Sequence, residues 1–108
     1  MRTVLMISGA PTENEARKIA KILVEGRLAA CVNIIPRVNS FFHWEGKFRS
    51  EKEAMILIKT TPQKSKIIIN KIKEIHSYKV PEIIYLEVDG GEKNYLNWVK
   101  KILAQKKY

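Results

Sequence analysis

Cysteine is nearly missing from this chain: Cys31 stands alone among 108 residues. No internal disulfide can form, which fits a reducing, cytoplasmic setting. Long apolar runs are missing too, and the longest fall far short of the roughly 20 residues a membrane span needs. The opening stretch Met1 to Ile7 has a brief apolar segment without a cleavage-like continuation. It reads as a strand rather than a signal peptide. Proline and glycine are few and scattered, so no linker, repeat or low-complexity segment is present and every connection is short. The chain also lacks a Ser-His-Asp set, a P-loop, a CxxC and an HExxH, and nothing in it motivates an enzymatic reading.

Acidic residues are outnumbered 11 to 20 by basic ones, a net charge of +9 that raises the question of nucleic acid. The lysines are dispersed: Lys64, Lys66, Lys71 and Lys73 on one expected helix, Lys100, Lys101, Lys106 and Lys107 on another. Solvated helix faces account for them. RNA-recognition sheets stack bases on aromatic side chains, whereas the central strands here carry Ile, Met and Leu. No nucleic-acid partner and no membrane partner is expected.

What the chain does contain is enough apolar matter, 45% of its residues, to exclude a disordered tail. Its length suits one domain, residues 1–108, burying about two-thirds of its unfolded surface. A first strand runs from about Thr3 to Ser8. Thr12-Glu13-Asn14-Glu15 is a capping-box pattern, followed by Ala16, Ile19, Ala20 and Leu23 on one helical face, with Gly26 as the stop. Leu28 to Ile35 reads as a strand closed by Pro36. Val38, Ser40, Phe42 and Trp44 alternate up to the Glu45-Gly46 turn. Phe48 and the run Ala54 to Lys59 then return as the second arm of a long hairpin.

Thr61 caps a second helix with Pro62 at its first position, and Ile68, Ile72 and Ile75 form its inner face. His76 to Pro81 is a structured loop, Pro81 holding Val80 extended. Glu82 to Val88 is the last main strand, and Asp89-Gly90-Gly91 leads into a third helix with Leu96, Val99 and Leu103 inward. The order β-α-β-β-α-β-α describes an α+β, ferredoxin-like sandwich, an antiparallel sheet with helices on one face.

A sheet covered on one face alternates apolar and polar side chains. Ile34-Ile35, Met55-Ile56-Leu57-Ile58 and Ile83-Ile84-Tyr85-Leu86 instead present apolar groups to both sides. Burying each such Ile or Leu gains about 1.5–3 kcal/mol, so something must cover the second face. With no segment left over, the expected cover is another copy of the same sheet.

Several stretches then resemble the CutA family of divalent-cation tolerance proteins. These are Leu28-Ala29-Ala30-Cys31-Val32-Asn33-Ile34-Ile35-Pro36, Phe42-His43-Trp44-Glu45-Gly46-Lys47, Glu53 through Lys59-Thr60, His76-Ser77-Tyr78-Lys79-Val80-Pro81-Glu82-Ile83-Ile84, and Tyr95-Leu96-Asn97-Trp98. The resemblance spans essentially the whole chain. It implies a homotrimer with sheets inside and helices outside, and a non-enzymatic role in tolerance of divalent metals such as copper. Its likeness to the trimeric PII signal proteins equally implies sensing or small-ligand binding at clefts between subunits.

Cys31 and His76 are the candidate metal ligands. A thiolate suits soft metals; the alternative is a small buried hydrophobe in mid-strand. His76 lies at a helix C-terminus, where an imidazole can bind copper or zinc, or can fix the loop by hydrogen bonds. His43, in the hairpin, reads as a surface residue. Family members proposed to bind copper carry a Cys and a His where this chain has Ser8 and Ile75; Ser77 replaces a proline, and Lys79 stands where an acidic or polar residue is common. The resemblance therefore implies weak copper or divalent-cation binding with no obligatory cofactor. Lys59, Tyr78 and Glu82, joined by Trp44 and Lys47 from the hairpin, form a second candidate set. Such a set can bind a small anion at a cleft, do acid–base work, or serve as an inter-subunit network.

Overall fold

The computed structural model describes residues 2–105, so Lys106 and Lys107, assigned above to the third helix, lie outside the described residues. The order is β1 (Thr3–Ala10), α1 (Glu13–Glu25), β2 (Cys31–Trp44), β3 (Lys47–Thr60), α2 (Pro62–Ile75), β4 (Ile83–Val88) and α3 (Lys93–Ala104). The strands form one antiparallel sheet in the order β2-β3-β1-β4. The expected α+β, ferredoxin-like architecture is therefore present.

Local chemistry explains most boundaries. The Thr12 hydroxyl accepts the Glu15 amide at 3.1 Å, one half of the capping box. The other half is not made, because the Glu15 carboxylate reaches across to the Ser77 amide at 2.9 Å. Gly26 sits in an ordinary negative-φ conformation, and the left-handed residue that ends α1 is Arg27 at φ 59°. Gly26 is needed for space: a Cβ there would come within 3.0 Å of the Ile22 carbonyl. Thr61 precedes α2 as expected but makes no side-chain cap bond. In that turn the Ser65 hydroxyl donates to the Pro62 carbonyl at 2.7 Å.

Strand bounds differ from the sequence reading. Strand β1 and the hairpin arms run further at their ends, while β2 starts at Cys31 rather than Leu28 and β4 at Ile83 rather than Glu82. Gly9 and Ala10 extend β1 because they pair with Met55 and Ala54. Pro36 does not close β2. The strand runs through it with a register shift between Ile35 and Val38, which a proline tolerates on an edge strand where no ladder N–H is required. Glu45 (φ 51°) and Gly46 (φ 77°) form the two-residue turn that joins β2 to β3, with both residues at the positive φ a right-twisted hairpin needs.

Residues paired directly across strands share a sheet face. Val4, Met6, Ala10, Ala54, Ile56 and Ile58 pack in one fully buried cluster with Ala16, Ile19 and Leu23 of α1 and Ile68 and Ile72 of α2. The opposite face carries Leu5, Ile7, Met55, Leu57, Ile84 and Leu86. There Ile84 and Leu86 are half exposed, at 51% and 50%.

Helix α3 departs from the one-face expectation. Its buried Val99 and Leu103 join Ala30 in a cluster separate from the main core. Its Tyr95 lies against Cys31, which shares the second face with Lys59 and Leu5. Glu92 caps α3 by accepting the Tyr95 and Asn94 amides at 2.9 and 3.1 Å. The helix thus crosses one end of the second face and leaves the rest bare. Amphipathic periodicity reveals an inner stripe, not the layer it meets.

Truncating the main core should be costly. Ile58→Ala is expected to lower unfolding free energy by about 2–5 kcal/mol in urea titration, through lost transfer energy and a cavity. Thr12→Ala should cost only about 1 kcal/mol, the loss of one cap.

Candidate functional site

Two polar clusters lie towards opposite ends of β1. The first is built where α2 ends. The His76 amide closes the helix on the Ile72 carbonyl at 2.8 Å. Its imidazole Nε2 lies 2.6 Å from the Gly9 carbonyl of β1, and a carbonyl can only accept, so Nε2 carries the proton. Nδ1 is then the acceptor for the Tyr78 amide at 2.9 Å. The side chain is wholly buried, with Glu15 3.5 Å from Nδ1. Of the two expectations for His76, metal ligand or loop-fixing residue, the enclosed ring with both nitrogens engaged matches the second.

Around this ring the loop is tied to three other elements. Glu15 of α1 holds the Ser77 amide, and the Tyr78 hydroxyl donates to Glu53 of β3 at 3.2 Å. Ser8 of β1 donates to the Glu82 carbonyl at 2.7 Å, pinning the approach to β4. The Tyr78 ring leans on His76 with centroids 5.0 Å apart. Burial, and then the Glu53 carboxylate by charge and hydrogen bond, push the Tyr78 phenol up to about 12.

The second cluster surrounds Cys31. Its thiol donates to Asn33 Oδ1 at 3.7 Å, and the Lys59 ammonium donates to the same oxygen. Burial first, and then Cys31 by charge and hydrogen bond, push the Tyr95 phenol up. Cys31 is half-buried and its thiol is free.

The set Lys59, Tyr78, Glu82, Trp44 and Lys47 is not brought together within one chain. Lys59 faces Leu5, while Glu53, the partner of Tyr78, lies six residues back along β3, about 20 Å away. Trp44 and Lys47 pair with each other beside the hairpin turn, both exposed. The Glu82 carboxylate lies beside Gly9, at the end of the sheet near His76. Glu15, Glu53, Asn33 and Tyr95 were not singled out from sequence. The hairpin register puts Asn33, two residues from Cys31 and paired with Leu57, on the same sheet face as Cys31 and Lys59, but nothing local to Glu15 or Glu53 marks them.

Comparison with known proteins places this geometry. The family profile described as CutA1 divalent ion tolerance protein matches residues 4–102. The chain belongs to the CutA family. It is 42% identical over 101 residues to the divalent-cation tolerance protein CutA of Thermus thermophilus, covering 94% of this chain and 97% of that one. It superposes on CutA1 of Ehrlichia chaffeensis with a TM-score of 0.90 at 32% identity, over 96% and 97% of the two chains. The CutA of Archaeoglobus fulgidus, described as a periplasmic divalent cation tolerance protein, gives 0.90 at 37% identity over 94% and 98%.

The CutA family name implies a divalent cation, but these side chains do not fit a metal centre within one chain. Among the described residues no three His, Cys, Asp or Glu side chains are grouped to hold an ion. Cys31 lies beside Lys59, opposite Leu5, whereas His76 binds Gly9, four residues and about 13 Å along β1. His76 also has no ring lone pair to spare.

The Tyr78 phenol gives a direct test. Its proton is held more tightly in the folded state than at the ordinary value of 10.0, so its stabilising contribution is intact below pH 10 and is lost as pH rises towards about 12. Ultraviolet titration should show tyrosine absorbance that ionises late, and Glu53→Gln should bring the Tyr78 part of it down. A late tyrosine that Glu53→Gln leaves in place would show that Glu53 is not a cause.

Proposed function

We propose that this protein serves tolerance of divalent cations such as copper as a homotrimeric, non-catalytic cytoplasmic assembly, touching metal weakly rather than housing it. The observation that carries the reading is the uncovered apolar sheet face, Ile7, Leu57, Ile84 and Leu86 among its members, in a chain that matches CutA proteins over nearly its whole length. A face of that kind gains about 1.5–3 kcal/mol for each large side chain a neighbour covers. The cytoplasmic assignment rests on the single free thiol, and no helix among the described residues is long and apolar enough to cross a membrane. With His76 occupied, weak contacts with the ion fall to surface carboxylates and the Cys31 thiol.

A second reading is a small-ligand module using clefts between subunits, as in PII-like trimers. It is favoured by Lys59, a cation on an apolar sheet face that makes no ion pair among the described residues. Thermal scanning with anions and nucleotides tests it, and no shift from any of them would argue against it.

Sedimentation should give a trimer's mass at micromolar concentration, and a stable lone subunit would end the assembly reading. Copper titration followed by tryptophan fluorescence separates the sites. His76→Ala is expected to lower Tm through the freed loop while leaving the copper midpoint within about twofold, whereas a tenfold loss would place the ion at His76.

A further inference from the structure

We propose a function beyond the metal and small-ligand readings: the protruding end of the β2–β3 hairpin is a docking surface for single-stranded RNA, whose bases stack on Phe41 and Phe48. The expectation of no nucleic-acid partner rests on the central strands, which carry Ile, Met and Leu. The rings lie further out, where β1 has ended at Ala10 and the two hairpin arms continue as a pair.

Alternation decides which residues share this platform. On β3, Phe48, Ser50 and Lys52 stand at two-residue steps from Ala54 and Ile56, so they lie on the side of the sheet that carries α1 and α2. Across the ladder Asn39 pairs with Lys52, Phe41 with Ser50 and His43 with Phe48. The bare apolar face with Leu5 and Leu57 is the opposite side, so a second sheet docked there leaves these rings open. Phe41 and Phe48 are 67% and 65% exposed. They form one patch: their centroids are 6.3 Å apart with planes 24° from parallel, and His43 meets Phe48 edge-on at 5.9 Å. A nucleobase has a flat π-face that stacks on such rings whatever its identity.

Charge selects the occupant. The three paired rows hold one cation, Lys52, and no carboxylate. Lys52 makes no ion pair among the described residues. Glu51 and Glu53 belong to the other side of β3, where Glu51 meets Arg49 and Glu53 accepts from Tyr78. The net charge of +9 draws in a polyanion. An acidic peptide would satisfy Lys52 and leave the rings in water, and an apolar partner would do the reverse. A single nucleic-acid strand satisfies both, whereas the bases of a duplex are already stacked on one another. Asn39 and Ser50, in the same rows, can hydrogen-bond a 2′-hydroxyl, the group that separates RNA from DNA.

The test uses the full-length protein with fluorescein-labelled oligouridylate, read by anisotropy over a salt series. Oligouridylate should bind, and more weakly as salt rises. Phe41→Ala and Phe48→Ala should each weaken it by about fivefold or more, the loss of one stacked base. Phe42→Ala, on the other side of the hairpin, should change it by less than about twofold. Phe41→Tyr keeps the stacking ring and should keep the affinity. Lys52→Gln should lower the salt slope by about 1. Absence of salt-dependent binding, or losses in Phe41→Ala and Phe48→Ala no larger than in Phe42→Ala, overturns the proposal. Equal affinity for oligodeoxyuridylate overturns the choice of RNA, and equal affinity for duplex RNA overturns stacking. A lower sedimenting mass in Phe48→Ala would show that another subunit covers the rings, and the docking surface would then be refuted.

Discussion

Strands β1 and β3 have apolar side chains on both of their faces, and the rest of the architecture answers that constraint. A pleated strand sends alternate residues to opposite sides. On one side Met6, Ile56 and Ile58 are sealed beneath α1 and α2. On the other, Leu5, Ile7, Met55 and Leu57 are only half-buried, since α3 reaches only one end. The three helices of the described residues leave the remainder of that face bare. The same constraint locates the polar groups, because a lysine or histidine amid so much hydrocarbon must find partners nearby. Lys59 finds Asn33, and His76 finds Gly9 and Tyr78.

The His76 loop converts local bonds into long-range order. One ring joins the end of α2 to β1 and to its own loop, and Glu15 and Glu53 bring in α1 and β3. No polar side-chain atom buried among the described residues lacks a partner. A fully satisfied network of this sort resists rearrangement more than the sum of its bonds suggests. It therefore presents Tyr78 and Val80 to the surroundings from a rigid base, although both are exposed.

Much of this was legible in the residues. Thr12 and the period of Ala16, Ile19 and Leu23 announce α1, and Glu45-Gly46 announces the hairpin, because those signals act within a few positions of the chain. The side of the sheet on which α3 lies was not legible, since Val99 and Leu103 declare a buried stripe without naming its layer. Pro36 misled because its effect depends on whether its strand is central or at an edge, and only the assembled order β2-β3-β1-β4 decides that. The candidate site fared worst. A histidine's chemistry is visible from its type, but the carbonyl it binds lies 67 residues away, and its accessibility is set by a register no local pattern encodes.

Edge strands are open templates onto which a stranger's backbone can zip. On β2 the ladder is broken at its shift between Ile35 and Val38, where Pro36 has no amide hydrogen to offer. At the opposite margin β4 is only six residues long. Both borders of the sheet thus carry a feature that blunts backbone pairing, an interrupted ladder on one side and a short strand on the other.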